Sequence, residues 1–260
     1  MIRLALLGGL YSNYRALQVA LEDARRRQAN AIYCLGDLGA FGPFPDRVYP
    51  LLRSRGVQCL QGNYDNSLAG GLADCQCGYT DPRDNYFARL SYSYTFKNTS
   101  EDNKAWLRTL PGLIRFEIEG YRLLLCHGSP RKINEFLWES TSSDSFLKYL
   151  LDEWRADILC VTHTGIKWHR ELPGNRHCTN VGVLGRPEND GKTNVWYTLL
   201  EISAQGARVE FIPVIYDHEA LAADMHTERL PEEFIETITT GWWTTCLEVL
   251  PHKERARGRF

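Results

Sequence analysis

Four residues with metal-ligating side chains each follow an apolar run. They are Asp37 in Leu35-Gly36-Asp37-Leu38-Gly39, Asn63 in Gly62-Asn63-Tyr64-Asp65, His127 in His127-Gly128-Ser129-Pro130, and His163 in Thr162-His163-Thr164-Gly165. A carboxylate, an amide oxygen and two imidazoles make a donor set that suits a borderline divalent cation such as Mn, Fe or Zn. Gly36-Asp37 alone reads equally as an ordinary turn, and a lone histidine as a buried structural residue. Four such groups at four corresponding strand ends point instead to one metal site, because ligand-binding groups of open α/β sheets gather beyond the carboxyl ends of the strands.

Positioning these residues requires a particular order of elements. Ile2 to Leu7 reads as a first strand. A helix starts near Asn13, carries Leu17, Ala20, Leu21 and Ala24 on one face, and ends in Arg25-Arg26-Arg27. Ala31 to Leu35 is a second strand, Pro45 to Arg55 a helix and Val57 to Leu60 a third strand, a strand–helix alternation that implies a parallel sheet. The stretch from Ser67 to Pro111 reads as irregular helices, with an aromatic-rich run from Tyr86 to Phe96 counted as core. A second series follows: a hairpin of Leu113 to Ile118 and Tyr121 to Cys126 around Glu119-Gly120, a helix from Asp144 to Trp154, and a strand from Ile158 to Val161. Short strands near Cys178, from Val195 to Ile202 and from Arg208 to Ile215 complete it. No repeat or linker interrupts the chain, so residues 1–217 read as one domain in two halves. Residues 218–260 read as a C-terminal helix and a basic, loosely docked tail.

Bulk properties narrow the function. The 260 residues are 43% hydrophobic and 24% charged with a net charge of -2, an ordinary globular composition. That charge leaves no footprint for nucleic acid as a bulk partner. No apolar run approaches a membrane span and no signal peptide opens the chain, so the expectation is a cytoplasmic protein. Of the eight cysteines, only Cys75-Gln76-Cys77 forms a close pair, which reads either as a metal or redox element or as a reduced pair in a loop.

The segments GDLGAFGPFP, GNYD, CHGSP and a degenerate GHTH, with Asn180 followed by small residues, resemble in their order the calcineurin-like metallophosphoesterases, closest to the small bacterial and archaeal phosphodiesterase branch. The resemblance runs from about Ile2 to Trp243. It implies an α/β fold, a four-layer αββα sandwich, with a two-metal site at the strand ends. It also exposes a departure: the family's Asp-x-His after the first strand aligns with Gly9-Leu10-Tyr11, and the second histidine of Gly-His-Thr-His aligns with Gly165. Those three side chains ligate the first metal in the family, whereas the second-metal set is intact as Asp37, Asn63, His127 and His163.

The resemblance therefore implies a metal-dependent phosphoesterase with a reduced, one-ion site taking Mn, Fe, Zn or Mg and a small phosphoester. Asp37 would be the sole anionic ligand. Tyr64 occupies the general-acid position and, with Asn180, would place the substrate. Tyr11 would ligate as phenolate or bind a phosphate oxygen, and Arg15 would sit beside the anion. Losing three ligands at once leaves a second reading open: an impaired family member acting as a binding or scaffold module, docking a protein partner through Trp242-Trp243 and the basic tail.

Overall fold

The computed structural model describes residues 1–258. Ten strands build two mixed five-stranded sheets. The first has the order β10 (Gly206–Val214), β9 (Val195–Ser203), β1 (Ile2–Leu7), β2 (Ala31–Cys34), β3 (Gln58–Cys59). The second runs β4 (Leu113–Ile118), β5 (Tyr121–Cys126), β6 (Ile158–Val161), β8 (Arg176–Asn180), β7 (Trp168–Leu172). Strands β1, β2 and β3 are parallel, as are β5, β6 and β8; the remaining pairings are antiparallel.

The central strands carry apolar runs, Leu4–Leu7 of β1, Leu123–Cys126 of β5 and Ile158–Val161 of β6, because both of their faces are buried there, and the two-residue period sorts side chains between layers. Leu4 and Leu6 of β1 enter the inter-sheet core, where they join Leu123 and Leu125 of β5, Ile158 and Cys160 of β6, and Leu200 of β9. Their neighbours Ala5 and Leu7 face the opposite way, into a core shared with helices. On the second sheet, Leu124, Cys126, Leu159 and Val161 pack against Leu147, Leu150 and Leu151 of the helix Asp144–Glu153. The architecture is the expected αββα sandwich.

Helix α1 (Tyr14–Arg26) forms as its sequence predicts. Asn13 caps it by accepting from Ala16 N at 3.0 Å, and Leu17, Ala20, Leu21 and Ala24 are buried. Arg25 and Arg26 lie in the last turn, where cations suit the helix dipole. The region Ser67 to Pro111 is more regular than its sequence suggests. It holds the 17-residue helix Pro82–Asn98, capped by Asp81, and the shorter helix Glu101–Leu107. Only part of the long helix is buried and its aromatic residues are spread round it, which hides the 3.6-residue period.

Residues 218–258 differ most from expectation. Two helices, His218–Thr227 and Glu232–Thr240, place Leu221, Met225, Phe234 and Ile238 in the core of the first sheet's helical layer. Trp243 and Leu250 pack with Trp138 and Ile166. The basic terminus is held tightly. Glu254 is buried and accepts from Ser140 N and Ser140 Oγ, Arg255 pairs with Glu248, and Arg257 pairs with Glu139. The expectation of a loose tail fails because a buried carboxylate anchors it; Arg259 and Phe260 lie outside the described residues. Among the described residues, no helix is long and apolar enough to cross a membrane.

The inter-sheet layer should dominate stability. Leu125→Ala removes a fully buried side chain and is expected to lower the unfolding free energy by about 2–5 kcal/mol in urea titrations. Ile215→Ala, at a residue 82% exposed, should stay within about 0.5 kcal/mol of the parent.

Candidate metal centre

The carboxyl ends of β2, β3, β5 and β6 deliver Asp37, Asn63, His127 and His163 to one place between the two sheets. Asp37, His127 and His163 are all buried, and each offers one ligand atom such that the three lie within 4.8 Å of one another. Asp37 and His163 both adopt left-handed backbone conformations, with φ of 55° and 69°. Sparsely populated geometry of this kind persists only where the surroundings impose it.

For Asp37 those surroundings are a neighbouring carboxylate. Asp65 accepts from Asp37 N at 2.7 Å, Leu38 N at 3.1 Å and Gly62 N at 2.9 Å, so one side chain ties the β2 loop to the β3 loop. Burial, reinforced by the Asp37 charge, pushes the Asp65 carboxyl up to about 7 against the pull of the three N–H groups. The loops touch closely enough that a side chain on Gly62 would collide with the Asp37 carboxylate. Asn63 then opens the helix Asn63–Gly70, where its sequence reads as a loop, and Tyr64 N donates to Asp37 Oδ1 at 3.1 Å.

His127 and Asn63 have their orientations set from outside the cluster. His127 Nδ1 donates to Leu35 O at 2.6 Å, which turns Nε2 towards Asp37 Oδ2 at 3.3 Å and His163 Nδ1 at 3.1 Å. A ring nitrogen tied to a backbone carbonyl in this way is typical of metal-binding histidine. Asn63 Nδ2 donates to Cys75 O at 2.8 Å, and Asn63 Oδ1 is buried without a hydrogen-bond partner. An orphaned amide oxygen beside a carboxylate and two imidazoles is what a divalent ion would satisfy, so these four residues fit one. Burial works against the charged forms of Asp37 and His127. Their mutual attraction outweighs it, lowering the carboxyl and raising the imidazole from their ordinary values. His163 is driven down to about 3, by burial first and then by His127, and so stays neutral.

Above the cluster lies a cavity of about 50 Å³, bordered by Asp37, Asn63, His163, Tyr11, Tyr64 and Arg186. Tyr64 donates to Ser91 Oγ at 3.0 Å, and burial raises its pKa. Tyr11 is likewise buried, its phenol raised chiefly by desolvation, which disfavours a phenolate ligand. Asn180 and Arg15 do not reach the cavity. Asn180 spends its amide on Thr162 O, Thr164 Oγ1 and Gly182 N, fixing the turn that carries His163. Arg15 pairs with Asp224 at 2.9 Å. His169 stacks on His177, whose neighbours Asp157 and Cys178 lie along the strands.

Two features escaped the sequence reading. Arg186 is buried in the cavity wall, and its only signal is a charge closing the apolar and glycine-rich run Val181 to Gly185. Cys75 and Cys77 form a disulfide with a Cα–Cα distance of 5.3 Å, within the usual range, where a reduced pair had been one reading.

The family model for calcineurin-like phosphoesterases matches residues 2–190. The chain belongs to this family. An uncharacterized protein of Methanocaldococcus jannaschii is 25% identical over 254 residues, covering 92% of this chain and 98% of that protein. Two crystal structures share the calcineurin-like fold. A hypothetical protein from Pyrococcus horikoshii has a TM-score of 0.77 at 20% identity, with 94% of this chain and 100% of that one covered. A metallophosphoesterase from Sphaerobacter thermophilus has a TM-score of 0.72 at 24% identity, with 92% and 100% covered.

The disulfide bears on the centre because Cys75 O fixes the Asn63 amide, which also approaches Cys77 Sγ at 3.4 Å. Denatured, unreduced protein is expected to alkylate at the six free cysteines only, and at all eight after reduction, read by intact mass.

Proposed function

We propose that this chain is a divalent-metal-dependent phosphoesterase that works with a single ion held by Asp37, Asn63, His127 and His163. The observation that carries the reading is the preorganised donor set: ligand atoms within 4.8 Å of one another and a buried Asn63 oxygen lacking any other partner. Membership of a phosphoesterase family supplies the reaction class. Mn, Fe, Zn and Mg are all admitted by oxygen and nitrogen donors, with Mn the natural first choice to test. When bound, the ion supplies Lewis-acid polarisation of a phosphoryl oxygen and a more acidic water.

The protein groups complete that site in distinct ways. Tyr11 presents a neutral phenol at the cavity, suited to donating a hydrogen bond to a substrate oxygen; Tyr64, whose hydroxyl donates to Ser91 Oγ, would turn from that partner to protonate a departing alkoxide. Asn180 acts at one remove by bracing the Thr162 to Thr164 turn. Arg15, held by Asp224 outside the cavity, contributes at most to the wider field. The cavity, bordered by both polar and apolar side chains, supports a small phosphoester substrate, and a cytoplasmic setting accords with it.

The second reading, a family member that binds without turnover, draws on Gly9, Tyr11 and Gly165 in place of three ligands. Its C-terminal docking segment is less available than the sequence suggests, since Trp243 is buried and Arg255 and Arg257 are paired within the chain.

Metal analysis after Mn loading is expected to find one ion per chain, and Asp37→Ala to abolish stoichiometric binding. Hydrolysis of bis(p-nitrophenyl) phosphate should fall at least about 100-fold in that variant, the scale of losing a principal electrostatic element. Sub-stoichiometric metal, with hydrolysis equal to that of Asp37→Ala, would sink the proposal.

A further inference from the structure

Arg186 is 6% exposed, lines the cavity together with Asp37, Asn63 and His163, and takes part in no carboxylate ion pair among the described residues. Its Nε is buried without a hydrogen-bond partner. The guanidinium is instead held by aromatic faces: Trp243 at 3.7 Å from its ring centroid, Tyr11 at 5.8 Å and Phe41 at 5.9 Å. Its polar side-chain neighbours are Cys246, Tyr11 and Tyr79, none of them a carboxylate. Guanidinium does not lose its proton in proteins, so burial leaves a permanent charge met by π faces and the Cys246 side chain rather than by a carboxylate. A desolvated cation of this kind, bordering a cavity, is primed for an anion.

Its location gives that charge a specific meaning. A Cβ placed on Gly165 would lie 3.2 Å from Arg186 Nη2 and 3.0 Å from the Trp243 ring. A Cβ on Gly9 would lie 2.6 Å from the Tyr11 ring. The three positions at which the family carries first-metal ligands are therefore one packed unit, filled by the Tyr11 ring, the Arg186 guanidinium and Trp243. A side chain at position 165 would be tight against both the guanidinium and the Trp243 ring, so a histidine there would require one of them to shift.

We infer that the Arg186 guanidinium takes over the charge of the family's first ion and binds an oxyanion of the phosphate class, facing the ion site on Asp37, Asn63, His127 and His163. The inference rests on the single-ion reading for that facing site, but not for the anion affinity of Arg186 itself. The planar fork matches two phosphate oxygens at once, and its charge does not vary with pH.

Calorimetric titration separates this role from a merely structural one. Mn alone and then inorganic phosphate are titrated into the full chain as wild type, Arg186→Met and Arg186→Lys. Removing a cation near a second cation site should leave Mn affinity unchanged or tighter in Arg186→Met. Phosphate affinity should fall by about 10–100-fold, the scale of losing charge-assisted hydrogen bonds. Arg186→Lys keeps the charge and much of the stem, and should recover part of the phosphate binding. Unchanged phosphate affinity in Arg186→Met, a joint loss of Mn and phosphate in both variants, or two Mn ions in the wild type would overturn the inference. If the wild type takes up no Mn, the single-ion reading fails separately. Phosphate binding to the metal-free wild type, weakened in Arg186→Met, would then still support the role of Arg186, and no difference between them would refute it.

Discussion

The centre depends on one buried carboxylate that receives three backbone N–H groups. Asp65 binds Asp37 N, Leu38 N and Gly62 N, and thereby joins the loops leaving β2 and β3. Without this tie, a left-handed Asp37 would have no reason to hold its conformation, and Asn63 would not begin a helix beside it. An acceptor satisfied by three N–H donors offsets much of its own desolvation, which is why so polar a joint can sit at the edge of an apolar sandwich. The same economy recurs at Asn180, whose amide is fully used in bracing the turn that carries His163.

Two halves of the centre obey different physics. On one side, oxygen and nitrogen donors converge with an amide oxygen left unsatisfied, the arrangement a hard or borderline cation completes. On the other, the Tyr11 and Trp243 rings and the Arg186 guanidinium pack close against Gly9 and Gly165. Cation–π contact lets a buried charge persist without a carboxylate that would neutralise it and compete for the cavity. The C-terminal segment makes this possible, because Trp243 reaches the site from a part of the chain beyond the family match.

Much of the fold was legible in local pattern. The central strands β1, β2, β5 and β6 hold short apolar runs ended by polar or glycine residues, and α1 announces itself through Asn13 and the spacing of Leu17, Ala20, Leu21 and Ala24. Reading failed where burial is decided by distant partners. The helix Pro82–Asn98 scatters its aromatic residues round its circumference, and the terminus is basic in composition yet anchored by one acidic residue, Glu254. Ser140, which receives that carboxylate, is 114 residues away in sequence, a separation no window of neighbouring residues can sense.

The sequence by itself determined the αββα order of elements and set Asp37, Asn63, His127 and His163 just beyond strand ends, because both are written in residue type and short-range spacing. Only the tertiary structure decided that Asn180 and Arg15 stand outside the cavity, that Cys75 is bonded to Cys77, and that Arg186 stands inside it. Whether a charged side chain faces solvent, a carboxylate or a cavity depends on which remote surfaces close over it. For Arg186 those surfaces come from Tyr11, Phe41 and Trp243, which meet only when both ends of the chain pack against the same sheet edge.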